Sequence, residues 1–267
     1  MFLLRDKIGV VTGGGTGLGR EICMAFAHSG AHLVIAGRRP GPIEAVAVEV
    51  GKSGVKALAV PTDITDSGQV KTLIEQTVDN FGRVDILVNN AGIAKGVDPA
   101  PEEALKFEPK PIWEWTDEEW RYSIDTNLTG AFYGCREAVR YMVKQKSGKI
   151  INMASVGGLR GIRGSFGYCS AKGAIIQLTR SLAVTLAGDN VQVNCIAPGF
   201  LETTELPADV KTRSRRFFPF GRFGLPREIG PLCIYLASAA SDYVTGECFV
   251  IDGAASAGYA PTGYAPT

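Results

Sequence analysis

The sequence predicts a single α/β domain in which a parallel sheet is covered by helices on both faces. Two observations lead to this fold class. Short apolar runs of about five residues alternate with helical patterns, an order typical of parallel sheets. No stretch of linker-like composition divides the 267 residues, a length that suits one large domain. We therefore expect residues 1–267 to fold around one seven-stranded parallel sheet.

The composition narrows the class of protein. Lys and Arg total 28 and Asp and Glu total 27, so no net field would recruit nucleic acid or an anionic membrane. No apolar run approaches the ~20 residues of a spanning helix, and the first residues do not resemble a signal peptide. The six cysteines are scattered without a CxxC pair, which is typical of reduced thiols. We expect a soluble, cytoplasmic protein without a metal site.

The predicted elements follow in order along the chain. Each predicted strand is a short apolar run rich in β-branched residues, at 8–12, 33–36, 56–60, 85–88, 149–153, 192–196 and 248–251. The predicted helices cover residues 20–28, 42–50, 67–81, 116–146, 166–187 and 226–237. Proline at the start of the second helix, Ser67 as N-cap of the third, and Thr116 before three acidic residues mark helix beginnings.

Three segments interrupt this alternation. Residues 94–115 hold four prolines, five acidic residues and two tryptophans without periodicity, so we expect a long irregular excursion beside a functional surface. Residues 200–225 are rich in Phe and Arg and are interpreted as a flap. The tail, 255–267, repeats GYAPT and is expected to be flexible.

A glycine-rich turn follows the first strand and carries the first functional signal. Glycines at such a turn allow a tight bend and let helix N–H groups approach a pyrophosphate. The spacing, Gly-x3-Gly-x-Gly, differs from the common GxGxxG order. We interpret the turn as a dinucleotide-binding loop with contacts from Gly13, Thr16, Gly17, Leu18 and Gly19.

The end of the second strand bears on the choice of coenzyme. A carboxylate there would accept from a ribose 2′-hydroxyl, whereas this chain has Arg38 and Arg39. Two guanidinium groups favour a 2′-phosphate, so NADP(H) is preferred and NAD(H) remains an option. Asp63, after the third strand, suits a contact to the adenine edge, and it is equally suited to cap the following turn.

Three polar groups near the fifth strand form the candidate catalytic set. Tyr168 and Lys172 are four residues apart and share one face of a helix, while Ser155 follows the strand. A phenol, an ammonium and a hydroxyl can together move a proton onto or off an oxygen. The ammonium is expected to lower the pKa of Tyr168. A hydrolase is disfavoured, because neither His28 nor His32 is placed to serve Ser155.

Together these motifs resemble the short-chain dehydrogenase/reductase family across nearly the whole chain. The matching motifs are TGGGTGLG from Thr12, Asn89-Asn90-Ala91-Gly92, Asn127 in NLTG, Ser155-x12-Tyr168-x3-Lys172, and Pro198-Gly199 with Leu201 and Thr203. The final strand ends in Asp252-Gly253-Ala254, where the family more often has Gly-Gly, and the 94–115 excursion is longer than expected.

The resemblance implies a Rossmann-type fold that transfers hydride between a nicotinamide and a ketone or secondary alcohol. It implies a catalytic tetrad of Asn127, Ser155, Tyr168 and Lys172 and a homotetrameric assembly. Tyr168 and Lys172 would also contact the coenzyme. Further coenzyme contacts are expected from Ile64, Asn90, Ala91, Gly92, Pro198, Gly199, Leu201 and Thr203.

The substrate is left open among several classes. We expect its pocket between residues 155–167, the 94–115 excursion and the flap, with Arg160 and Arg163 as candidates for binding an anionic group. A 3-oxoacyl-type ketone is favoured, and a sugar, polyol or hydroxysteroid fits nearly as well. A coenzyme-binding sensor without turnover is the alternative class, although such proteins usually lack the Tyr or the Lys.

Overall fold

The computed structural model describes residues 4–93, 108–203 and 218–258. Its centre is a seven-stranded sheet in which every neighbouring pair is parallel, in the order β3-β2-β1-β4-β5-β6-β7. The strands are β1 (Ile8–Thr12), β2 (His32–Gly37), β3 (Ala57–Pro61), β4 (Ile86–Asn89), β5 (Gly148–Met153), β6 (Val191–Pro198) and β7 (Cys248–Ile251). The predicted fold class is confirmed.

Helices pack against both faces of this sheet. They are α1 (Gly17–His28), α2 (Pro40–Gly51), α3 (Ser67–Phe81), α4 (Asp117–Ile124), α5 (Gly130–Gln145), α6 (Phe166–Leu186) and α7 (Gly230–Ala237). Alternate residues of a strand point to opposite faces, so Val11 belongs to the core cluster that includes α1, α2 and α7, and Val10 to the cluster that includes α3, α5 and α6. No helix in the described ranges is both long and apolar enough to cross a membrane.

The strand order opens a crevice at one edge of the sheet. The chain leaves β3 at one side of the sheet and returns as β4 on the opposite side of β1. Loops after β1 and β4 therefore diverge, and such a switch point is where open α/β sheets bind ligands. Candidate site residues follow the carboxyl ends of β1, β2, β3, β4, β5 and β6.

Several predicted boundaries need correction. The third helix is capped by Asp66 and not by Ser67, because the Asp66 carboxylate accepts from the amides of Gly68 and Gln69 at 2.8 and 3.1 Å. These hydrogen bonds also lower the pKa of Asp66. The first and second helices begin earlier than predicted, at Gly17 and Pro40. The last predicted helix is a 3-10 turn over Pro226–Ile229 followed by α7.

The long predicted helix from Thr116 is divided in two. Thr116 begins α4 with a reciprocal capping box, in which its hydroxyl accepts from the amide of Glu119 and the Glu119 carboxylate accepts from the amide of Thr116. A π-turn over Asp125–Thr129 then joins α4 to α5. Asn127 lies in this turn, whereas the sequence predicts it in mid-helix.

The described part of the excursion borders the predicted substrate loop. Trp115 packs edge-on against Phe166 with ring centroids 5.5 Å apart. A Cβ on Gly164 would lie 2.3 Å from Cβ of Pro109, so the two backbones approach closely. Residues 94–107 of the excursion, 204–217 of the flap and 259–267 of the tail lie outside the described residues.

Candidate active site

The glycine-rich loop closes tightly onto the first turn of α1. Gly13 and Gly17 have φ of 65° and 52°, a left-handed region that favours glycine. A Cβ on Gly19 would lie 2.1 Å from the Gly13 carbonyl oxygen, so no side chain fits at that position. The backbone is therefore free to approach a phosphate group directly at the N-terminus of α1, which fits a dinucleotide.

A hydrogen-bonded latch joins the ends of β1 and β4. The Thr12 hydroxyl accepts from the amides of Asn90 and Ala91 at 3.0 and 3.1 Å. The Asn90 side chain donates to the Thr12 carbonyl at 2.9 Å. The sequence reasoning gives no role to Thr12, although a threonine that ends a buried strand before a glycine turn is a recognisable signal. This latch holds the glycine loop against the Asn89–Gly92 segment.

The residues after β2 and β3 lie where coenzyme specificity is expected. Arg38 and Arg39 are exposed at the rim of the crevice. Asp63 also lines the crevice, and its carboxylate accepts from the amide and hydroxyl of Thr65 at 2.9 and 2.8 Å. Asp63 therefore caps the following turn, one of the two roles expected of it.

Lys172 is the buried cation of the site. Only 6% of the residue is exposed, and its Nζ donates to the Met153 carbonyl at 2.7 Å. Burial disfavours the charged form and lowers the pKa of Lys172 to about 8. Its Nζ lies 5.8 Å from the centroid of the Tyr168 ring. The helix α6 thus brings the phenol and the ammonium together, as the four-residue spacing predicts.

Ser155 is held in place by the turn that follows β5. Its backbone is extended, and its Oγ accepts from the Gly157 amide at 3.0 Å. A Cβ on Gly157 would lie 3.3 Å from the Tyr168 ring, so this glycine lets the ring lie close to the turn. The structure thereby brings the turn that carries Ser155 next to Tyr168.

Asn127 lies in the π-turn and lines the cleft. Its side-chain nitrogen donates to the Ser123 carbonyl at 3.0 Å, and its oxygen accepts from the Ile93 amide at 3.1 Å. A Cβ on Gly92 would lie 2.8 Å from that oxygen and 3.5 Å from Nζ of Lys172. Glycine at this position therefore keeps open the space between Asn127 and Lys172.

These residues line one continuous cleft of about 960 Å³. All four predicted tetrad residues lie along it, as does every predicted coenzyme contact except Gly17. Lining residues that the sequence reasoning did not single out for this site include Tyr122, Asp125, Thr126, Ile93 and Ile162. The first three lie on α4 and in the π-turn and the last two lie in loops, and only the tertiary packing decides that they face the cleft.

The arginines near the cleft differ in their contacts. Arg160 is exposed and donates to the Ala255 carbonyl at 2.7 Å, so it holds the segment after β7. Arg163 is exposed. Arg222 in the flap is paired with Glu228 through contacts of 2.6 and 2.8 Å, and this pairing lowers the pKa of Glu228 to about 2. The described flap arginine therefore has a structural partner.

Similarity to known proteins agrees with this geometry. A family model described as short chain dehydrogenase matches residues 7–214. The chain belongs to the short-chain dehydrogenase/reductase family. Members are oxidoreductases that act on small molecules with a nicotinamide coenzyme, so this chain is an oxidoreductase.

Individual relatives span almost the whole chain. A 3-oxoacyl-(acyl-carrier-protein) reductase FabG from Thermotoga maritima is 35% identical over 253 residues, 94% of this chain and 98% of that protein. A cis-4-hydroxycyclohexanecarboxylate dehydrogenase from Sinomonas cyclohexanicum is 36% identical, covering 93% and 96%. The structure of a short-chain type dehydrogenase/reductase from Mycobacterium marinum superposes with a TM-score of 0.85 at 34% identity, covering 96% and 98%.

Proposed function

We propose that this short-chain dehydrogenase/reductase is an NADP(H)-preferring reductase of 3-oxoacyl-type ketones. The observation that carries the proposal is the convergence of Tyr168, Ser155 and the buried Lys172 on one cleft with the glycine loop. A phenol beside a buried ammonium is suited to deliver a proton to an oxygen on which negative charge develops. In the oxidation direction the same phenol, ionised, is the base.

The coenzyme would be held by the chain's own loops on both sides of the crevice. The glycine loop, Asn90 to Gly92 and the segment from Pro198 to Thr203 line that part of the cleft. A bound nicotinamide supplies or accepts the hydride. Tyr168 Oη moves the proton to or from the substrate oxygen, and Lys172 stabilises the ionised phenol through its positive charge.

We assign Ser155 the role of orienting the substrate oxygen. Because Oγ of Ser155 accepts from the Gly157 amide, its hydrogen is directed elsewhere and is available to donate to a carbonyl. We assign Asn127 the role of holding a water that exchanges protons with Lys172. The open space beside Gly92, between Oδ1 of Asn127 and Nζ of Lys172, supports this role.

Arg38 and Arg39 support the preference for NADP(H). Both guanidinium groups are exposed beside the loop after β2, where a dianionic 2′-phosphate would gain charge-assisted hydrogen bonds. At the end of β2 the chain reads Gly37-Arg38-Arg39, with no carboxylate to repel such a group. The coenzyme preference therefore follows from charge at one turn.

The substrate class is supported by relatives. The relative from Thermotoga maritima is named for reduction of a 3-oxoacyl carrier protein. A second candidate, oxidation of a cyclic secondary alcohol, is favoured by the similarity to the Sinomonas cyclohexanicum dehydrogenase.

A substrate panel tests the proposal. Purified protein is mixed with NADPH or NADH and a 3-oxoacyl thioester, a cyclic ketone, a keto-sugar or a ketosteroid, and absorbance of the reduced coenzyme is followed. We expect the highest kcat/KM with the 3-oxoacyl thioester and NADPH. Faster turnover of the cyclic ketone would select the second candidate. Preference for NADH would contradict the coenzyme assignment.

A further inference from the structure

A buried chain of polar side chains lies directly beneath the candidate site. Asn152 on β5 is completely buried, and its nitrogen donates to the Thr179 hydroxyl on α6 at 3.0 Å. Its oxygen accepts from the Asn89 side chain on β4 at 2.9 Å and from the Cys135 thiol on α5 at 3.6 Å. Thr179 in turn donates to the Ile175 carbonyl at 2.8 Å. One amide thus connects two strands and two helices.

Two neighbouring residues of β5 hold the helix that carries Tyr168 and Lys172. Thr179 follows Lys172 by seven residues, two helical turns, so both side chains leave the same face of α6. Asn152 contacts Thr179, and the next residue, Met153, accepts from Nζ of Lys172 at 2.7 Å. The two contacts fix how far α6 is rotated and displaced relative to the end of β5.

A hydrogen-bonded amide specifies this position in a way that apolar packing does not. The surrounding contacts are between small and branched apolar side chains such as Ala154, Ile175 and Ile176. Such contacts are not directional, so a small rotation of the helix changes their energy little. A buried amide loses its hydrogen bond if the helix moves, and leaving it unpaired in the core is costly.

We propose that Asn152 is a positioning residue, which through Thr179 holds α6 so that Lys172 and Tyr168 face Ser155. The inference rests on the roles proposed for Tyr168 and Lys172. Asn152 lies beneath the cleft and does not line it, so its effect is exerted through the helix. Loss of its bond to Thr179 lets α6 move relative to β5, so that Tyr168 no longer faces Ser155 and Nζ of Lys172 loses the Met153 carbonyl that holds it beside the phenol.

Matched substitutions separate positioning from stability. Thr179→Ser keeps the hydroxyl, Thr179→Val removes it with little change of shape, and the double variant Asn152→Leu with Thr179→Val replaces the polar pair by an apolar pair. Stability is measured by urea unfolding and turnover by kcat. Ionisation of Tyr168 is measured in the absence of substrate. For each protein, the tyrosinate absorbance is compared with that of the same protein carrying the further substitution Tyr168→Phe, and the difference is followed against pH.

The expected pattern is that activity follows the hydrogen bond between Asn152 and Thr179. Thr179→Ser keeps the kcat and the Tyr168 titration of the wild type. Thr179→Val and the double variant lose about 10- to 100-fold in kcat because the reacting groups are misplaced. Their Tyr168 titration moves to higher pH, because Nζ of Lys172 is no longer held beside the phenol by the Met153 carbonyl. The double variant also takes the acceptor from the Asn89 side chain and the Cys135 thiol, so its urea stability stays below that of the wild type.

Two results would overturn the proposal. One is a double variant that has the kcat and the Tyr168 titration of the wild type. The other is a Thr179→Ser protein as impaired as Thr179→Val. If the wild type turns over no carbonyl substrate, the proposed function fails, and the Tyr168 titration still decides whether Asn152 positions the helix.

Discussion

At the scale of single residues, the site depends on a lysine that is buried beside a phenol. Lys172 is held by the Met153 carbonyl, and burial lowers its pKa to about 8. Below that pH it carries its charge in a largely apolar setting, which is where a positive charge acts most strongly on a neighbouring phenol. Surface lysines lack this property, because water screens their charge.

Replacement of the phenol tests the assigned acid. Tyr168→Phe is expected to lower kcat by about 10²- to 10⁴-fold, the usual contribution of a positioned proton donor. Coenzyme binding, measured by fluorescence titration, should change far less. Tyr243→Phe is the matched control, because Tyr243 is fully exposed near β7 and should keep wild-type activity. Full activity in Tyr168→Phe would remove the residue from the mechanism.

The buried ammonium predicts a particular dependence of stability on pH. The pKa of Lys172 is about 8 in the folded protein, and its ordinary value is 10.5. Between pH 8 and pH 10.5 the unfolded chain therefore binds more protons at Lys172 than the folded protein does. Stability must then rise with pH through the window. The free energy of unfolding of wild type minus that of Lys172→Met should increase by about 3 kcal/mol between the two values. Urea unfolding of coenzyme-free protein measures it, and a flat or falling difference contradicts the burial argument.

We assign the coenzyme preference to the positive charge of Arg38 and Arg39, which follow β2. Arg38→Ala is expected to weaken binding of NADPH by about tenfold or more, since a charge-assisted contact is lost, and to leave NADH nearly unchanged. Fluorescence titration with both coenzymes measures the ratio. Arg121→Ala, on the exposed face of α4, should leave both affinities as they are. Equal losses for the two coenzymes in Arg38→Ala would contradict the 2′-phosphate assignment.

At the scale of elements, the local sequence predicts some helix N-termini correctly and misses others, and it does not predict the π-turn. The capping box at Thr116 is recognised from the acidic residues that follow it, and it begins α4. The cap of α3 is Asp66 where Ser67 was predicted, because two adjacent residue types both favour that position and only the backbone decides between them. The π-turn at Asn127 has no sequence signature, since it lies where α4, which packs against α6, joins α5.

The glycine loop makes a prediction at this scale. Gly19→Ala is expected to abolish coenzyme binding, because the added Cβ would lie 2.1 Å from the Gly13 carbonyl and must displace the loop. Gly41→Ala in α2 is the control, since a Cβ there meets nothing within 4 Å. Calorimetric titration with NADPH measures both. Wild-type affinity in Gly19→Ala would show that the loop does not hold the coenzyme.

At the scale of the whole molecule, we propose the homotetramer that the family resemblance implies, and exposed apolar side chains on α5, α6 and β7 support it. Phe132 is 42% exposed, Val184 84% and Val250 45%. We expect light scattering to give four times the mass of one chain. Phe132→Glu on α5 should give a smaller species, since a buried unpaired charge opposes association. A wild-type protein with the mass of one chain would contradict the assembly.

The sequence by itself determined the fold class and the candidate tetrad that meets at the cleft, but not lining residues such as Tyr122 and Asp125. Alternation of apolar runs with helical patterns specifies a parallel sheet, and the spacing of Tyr168 and Lys172 places both on one helical face, because these periods are properties of the backbone. The strand order, the latch at Thr12 and the buried Asn152 chain were decided only by the tertiary structure. Each depends on contacts between residues far apart in the sequence, such as Thr12 with Asn90 and Asn152 with Thr179, and local propensity does not specify such contacts.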